Sequence, residues 1–211
     1  FVSCNGQEDG DLDRPLEDRN ALWTDLGKEH AKQPFSLLLH GGDQIYADGV
    51  WECDEDIIAW DKAGRSERLA TAFSDVMRDA VLKFHLDHYL AIYGQPQIRH
   101  MLARVPSLMM WDDHDIFDGW GSHKKWFQGS AVAKGMFDCA RQAFCLMQLS
   151  CTPDDLPDML RDREGISLGW RTDFPEVSIV APDLRSERTP NDVMGAHGWR
   201  DLPEMLKTVP D

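Results

Sequence analysis

Three short apolar runs in this chain each stop abruptly at a cluster of polar, ligand-type side chains. Phe1-Val2-Ser3 runs into Cys4-Asn5-Gly6, and Phe35-Ser36-Leu37-Leu38-Leu39 into His40-Gly41-Gly42-Asp43-Gln44-Ile45-Tyr46. Ser107-Leu108-Met109-Met110 runs into Trp111-Asp112-Asp113-His114-Asp115. Runs of this length are strand-sized, and the segments between them follow helical spacing. Ala21, Leu22, Trp23 and Leu26 mark a helix within residues 17–33, which Pro34 closes. Leu69, Phe73, Val76, Met77, Ala80 and Phe84 mark a longer one that ends at Gly94, and residues 131–149 a third. Residues 177–181, with β-branched side chains, predict a fourth strand. Strands alternating with helices make an α/β unit with parallel strands. Ligands of such sheets bind just beyond the carboxyl ends of the strands, where all three polar clusters fall.

Charge narrows what those clusters bind. The 22 Lys and Arg against 37 Asp and Glu leave a net charge of −15 over 211 residues. No basic footprint for a nucleic-acid backbone is evident, and anionic lipid would be repelled. No apolar run approaches the roughly 18 residues of a membrane span, and 42% hydrophobic content is that of a folded globular chain. Five cysteines, an odd number without a short CxxC, are a poor disulfide framework and a poor zinc site. Cys139, Cys145 and Cys151 therefore read as buried thiols. The chain opens on Phe1 and stops at Asp211 without a terminating pattern, so a piece of a longer protein is expected.

Three carboxylates within Asp112–Asp115 repel one another at the end of a buried strand, and either solvent or a multivalent cation relieves them. In Gly42-Asp43-x-x-Tyr46 the glycines permit a tight turn that projects Asp43, and the phenol returns three residues later. Each motif alone is equally a solvated loop or a structural turn; at neighbouring strand ends they reinforce each other.

These runs, with Phe1-Val2-Ser3-Cys4-Asn5 and Asp183-Leu184-Arg185-Ser186-Glu187-Arg188, resemble the PhoD-like alkaline phosphatase D family of the calcineurin-like metallophosphoesterases. The resemblance spans essentially the whole chain in the right order. It implies a metallophosphoesterase-type αββα sandwich, here a partial domain over residues 1–211 that continues beyond 211. It implies that Asp43 bridges two metals, that Tyr46 ligates iron, that Cys4 supplies a thiolate and that Asp113 is a further metal ligand. His114 then takes the place of the catalytic histidine, with Asp115 as the acid that orients it. Arg185 and Arg188 are candidates to clamp phosphate, although salt bridges to the abundant acids would use them equally well.

The implied activity is hydrolysis of a phosphate ester, mono- or diester, by a metal-activated water, with His114 as general acid. A cysteine and a tyrosine ligand favour Fe3+ in a dinuclear or multinuclear centre, and carboxylates favour Ca2+ or another hard divalent ion beside it. The family's later Gly-Asp-x-His motif has no match after Asp183. His197 reads as a loop histidine, and the missing ligands are expected beyond Asp211. His85 and His88 read as helix-surface residues, and the Trp51–Trp60 and Gly119–Gly121 regions as packing or substrate wall. Two rivals remain. One is a non-catalytic binding module that keeps the fold with a degenerate metal site; the other is a metal-free glycosidase using acids within Asp112–Asp118.

Overall fold

Backbone pairing around residues 38–40 organises the protein, of which the computed structural model describes residues 1–6 and 14–207. The helices, in chain order, are α1 Leu16–Arg19, α2 Ala21–Lys32, α3 Glu55–Lys62, α4 Arg65–Ala70, α5 Asp75–Tyr93, α6 Pro96–Leu102, α7 Lys125–Gln128, α8 Ala131–Gln148 and α9 Ala196–Lys207. The strands are β1 Leu38–His40, β2 Ser107–Met109, β3 Trp170–Asp173 and β4 Ser178–Ala181, and Ala47–Glu52 and Asp113–Asp115 form 3-10 turns. The fold is thus mixed helix and strand, with small sheets. No helix among the described residues is long and apolar enough to cross a membrane.

β1 and β2 pair in parallel, Leu38 opposite Ser107 and His40 opposite Met109. Val2 adds a parallel bridge to His40 on the other side of β1. Val2 donates to the Leu39 carbonyl at 2.8 Å, and Cys4 to the Gly42 carbonyl at 3.1 Å. All three apolar runs therefore lie side by side and leave their polar ends together. They are shorter than the sequence predicts: Phe1–Cys4 makes one bridge rather than a strand, and β1 and β2 have three residues each.

The helices bury only part of the stripes read from spacing: Trp23 and Met77 are buried, whereas Leu22, Leu69 and Val76 are exposed. α5 and α8 start on serine caps, Ser74 Oγ accepting from Met77 N at 3.1 Å and Ser130 Oγ from Ala133 N at 3.3 Å. α8 buries Val132, Met136, Cys139, Ala140 and Phe144 against a core that includes Val81, Trp111 and Phe117. Cys145, 240° of helical turn away from Cys139, is buried as well because packing surrounds most of this helix; Cys151 is half-buried. A second cluster joins Trp23, Leu38, Tyr89, Ile98 and Met101 beneath β1.

Three expectations differ. The helix expected from Leu69 to Gly94 is two, because the chain leaves α4 at Thr71 and Ser74 begins a new helix. The stretch from Glu17 divides at Asn20, whose buried side chain donates to Gln95 Oε1 at 2.6 Å. The fourth strand belongs to an antiparallel hairpin with β3, Trp170 opposite Ala181; its four-residue connection is too short for a parallel crossover. Trp170 Nε1 donates to the Met109 carbonyl at 2.7 Å and docks the hairpin onto β2.

Candidate metal centre

The turn after β1 is built around Gly42. A Cβ there would lie 2.5 Å from Asp112 Cβ and 2.6 Å from Asp112 N, so the close approach of the two strand ends requires glycine. Cys4, Asp43 and Tyr46 all hold left-handed backbone, with φ of 52°, 56° and 48°. Non-glycine residues rarely adopt that region, and such strain persists only where neighbours enforce it. At Asp43 the enforcing group is Asp115. Its fully buried carboxylate accepts from Asp43 N at 2.8 Å, Gln44 N at 3.0 Å, Asp112 N at 3.0 Å and Gln148 Nε2 at 3.2 Å. His88 Nε2 bonds the Ile45 carbonyl and, at 3.1 Å, that of Tyr46.

The side chains converge. Cys4 Sγ donates to Asp43 Oδ2 at 3.5 Å, and the other Asp43 oxygen accepts from His114 N at 3.2 Å. Carboxylate oxygens of Asp43, Asp112 and Asp113 lie within 4.8 Å of one another, as do ligand atoms of Asp113, His114 and Asp118. Tyr46 stacks on the His114 ring, with centroids 4.3 Å apart. The structure thus brings Cys4, Asp43, Tyr46, Asp113 and His114 into one place.

The electrostatics are those of crowded anions. Burial raises the Asp43 carboxyl above its ordinary range, and Asp112 and Asp113 push it the same way. Burial likewise raises the Cys4 thiol, with Asp43 and Asp112 adding to it. Burial alone would depress His114, but the Asp48 carboxylate 2.6 Å from its Nδ1, with Asp43 and Asp113 beyond, holds it above its usual value. Arg185 bonds Asp112 through Nε and lies 3.0 Å from Asp113, yet one guanidinium does not offset three gathered carboxylates. The carboxylate oxygens fit hard cations, which would relieve the repulsion that adds to burial in raising Asp43.

Several positions differ from expectation. Asp115 does not touch the His114 imidazole; burial pushes its carboxyl up to about 7 while the backbone N–H groups pull it down, and it holds the turns together. The acid facing His114 Nδ1 is Asp48, whose other oxygen accepts from Asp118 N at 2.6 Å. Arg185 faces Asp112, Asp113 and the Trp120 carbonyl. Arg188 lies along Gly121, where an added Cβ would meet its side chain at 2.6 Å, and its buried Nε has no hydrogen-bond partner among the described residues. His85 is not on a helix surface: it is fully buried, its ring between the Val81 and Ile116 carbonyls at 3.0 and 3.2 Å. His197 lies in α9 rather than in a loop, with Nδ1 3.0 Å from Asp162 Oδ2 but off the direction of a hydrogen bond.

Sequence reasoning missed Asp48, Asp112, Asp118 and His88 as parts of the site. The signal for Asp48 was its place two residues past Tyr46. Asp112 and Asp118 were visible only as more of one acidic run, and nothing local distinguished His88 from other helical histidines.

The chain is 31% identical to an uncharacterized protein of Saccharomyces cerevisiae over an alignment of 222 residues. The match takes in 90% of this chain and 32% of that relative, so the chain spans about a third of the relative's length. No solved structure matches. The sequence profile of a family described as PhoD related phosphatase matches residues 11–211, and the chain belongs to that family of phosphatases.

Proposed function

We propose that the chain carries the metal-binding core of a phosphoric ester hydrolase acting on mono- or diesters. The observation that carries the reading is the gathering of Asp43, Asp112 and Asp113 oxygens within 4.8 Å at the ends of two parallel strands, with His114 alongside. On this reading Cys4, Asp43, Tyr46 and Asp113 hold the cations, joined by Asp112 and Asp118. The thiol and phenol favour Fe3+ at one position, and the carboxylates favour Ca2+ or a similar hard ion at another. Bound cations there supply Lewis-acid polarisation of phosphoryl oxygens and make water a better nucleophile at neutral pH.

The chain's own contribution is the proton. Asp48 takes His114 Nδ1, fixing the tautomer and favouring the charged ring, so Nε2 carries a proton for the departing alcohol. Asp115 acts through the backbone, holding the Gly42–Tyr46 turn against the Asp112 turn. Arg185, anchored on Asp112 and Asp113, lies beside the place where a phosphoryl group would sit. The same reading makes the parallel strands part of an αββα sandwich.

One observation favours a second reading. Arg185 contacts two of the gathered acids, as it would in a non-catalytic module that has exchanged metal for a guanidinium. Metal analysis of the intact protein, with nitrophenyl mono- and diester hydrolysis, separates the two. Bound metal, turnover of either ester and a visible charge-transfer band are expected. A metal-free, inert protein would leave the binding module.

A further inference from the structure

A cavity of about 440 Å³ opens beside the acidic centre, and the chemistry above does not use it. Its walls include the half-buried Trp51, Trp126 and His123 and the buried Phe127, with exposed Asp118 and Lys124 also lining it. Asp118 joins cavity to centre: its Oδ1 lies 3.8 Å from His114 Nε2, and its carbonyl oxygen is 2.9 Å from His123 Nε2.

The rings are held in place before any ligand arrives. Trp51 lies against Phe117 at 4.7 Å and Phe127 at 6.2 Å, and His123 against Phe127 at 4.8 Å. The Arg65 guanidinium sits 5.3 Å from the Trp126 ring, and that of Arg68 6.0 Å from Phe127. Preformed clefts of roughly 300–1,000 Å³ with a few polar groups are the usual form of small-molecule sites. Aromatic walls favour one shape of occupant, because a planar ring gains offset stacking beyond the area it buries whereas a saturated ring gains area alone.

We infer that this cavity receives the departing alcohol of the ester and that this alcohol carries a planar aromatic group, an inference that rests on the hydrolase reading above. The alcohol oxygen lies at His114 Nε2 and the ring passes Asp118 into the space between Trp51, Trp126 and Phe127. An aryl alcohol places its ring directly on the oxygen, whereas a nucleoside places its base beyond a sugar; the stacking chemistry is shared.

The test is binding to the intact protein, followed by quenching of tryptophan fluorescence. Phenol against cyclohexanol probes the cavity alone. Phenylphosphonate against cyclohexylphosphonate and methylphosphonate probes its link to the centre, and an adenosine 5′-phosphonate distinguishes base from aryl ring. Phenol should bind saturably and cyclohexanol at least about fivefold more weakly. Phenylphosphonate should bind tighter than either phenol or methylphosphonate. Trp126→Ala should remove the preference for a planar ring while leaving methylphosphonate binding unchanged, and Trp126→Phe should restore it. Equal binding of planar and saturated rings, or a preference that survives both Trp126→Ala and Trp51→Ala, overturns the cavity assignment. Phenol binding with no gain in phenylphosphonate overturns its link to the departing group. Failure of every phosphonate, with phenol still binding, removes the hydrolase reading and this inference with it, and leaves a ring-binding site.

Discussion

Two buried carboxylates, Asp115 and Asp162, do similar structural work in opposite electrostatic surroundings. Each accepts three backbone N–H groups: Asp115 from Asp43, Gln44 and Asp112, and Asp162 from Glu164, Ile166 and Ser167. Burial raises both. Around Asp115 the neighbouring charge is Asp43, and its carboxyl is pushed up to about 7. Around Asp162 the Ser167 and Glu164 amides, Arg200 at 3.2 Å and His197 overcome burial and hold it below the usual range. The region of α9 neutralises its buried acid from within the chain. The strand-end region gathers more acids than Arg185 covers, and such a cluster could hold a metal ion.

Breaking the strand-end region should have the largest effect. Asp43→Asn removes the charge best placed between the other acids, and loss of both bound metal and hydrolysis is expected by metal analysis and ester assay. His114→Asn should keep the metal and lower turnover by about 10²–10⁴-fold for unactivated alkyl esters. That defect should shrink with nitrophenolate, a leaving group that needs little protonation. Equal defects across leaving groups, or metal loss as in Asp43→Asn, would make His114 a ligand.

Next in size is the scaffold. Asp115→Ala strands three buried N–H groups and frees the strained Asp43 and Tyr46 turn, so urea denaturation should report a loss of about 3 kcal/mol. The same change at Asp162 should cost less, about 2 kcal/mol, because Arg200 is half-exposed and keeps Asp201 at 2.6 Å.

The comparison sharpens with pH. Because the folded Asp162 titrates below its ordinary value, its contribution is fully present above roughly pH 4. It disappears as pH falls through the lowered folded value. Asp162→Asn should therefore flatten the acid limb of a stability–pH curve measured by denaturation; an unchanged limb would place the linkage elsewhere. The smallest effect belongs to the exposed Lys83–Asp87 pair on α5, where Lys83→Ala should change stability by no more than about 0.5 kcal/mol.

Local pattern determined much of this protein. The apolar runs before His40 and Trp111 were legible because a buried strand needs an apolar stretch, and the long helices because burial repeats every three to four residues; the run before Cys4 makes one bridge and leaves Phe1 exposed. The turn at Gly42 was legible as well, since a glycine pair after a strand has few other uses. Tertiary structure decided the partners. That Asp48 rather than Asp115 faces His114, and that Arg185 meets Asp112 and Asp113, depends on pairs 66 to 73 residues apart in the chain. His85 lies hidden and His88 braces the turn because α5 crosses behind both strand-end loops, which one helix's periodicity does not reveal. Spacing along a chain reports which side chains share a face; which acid meets which base is set only when distant backbones pack, because a hydrogen bond is made or lost within an ångström.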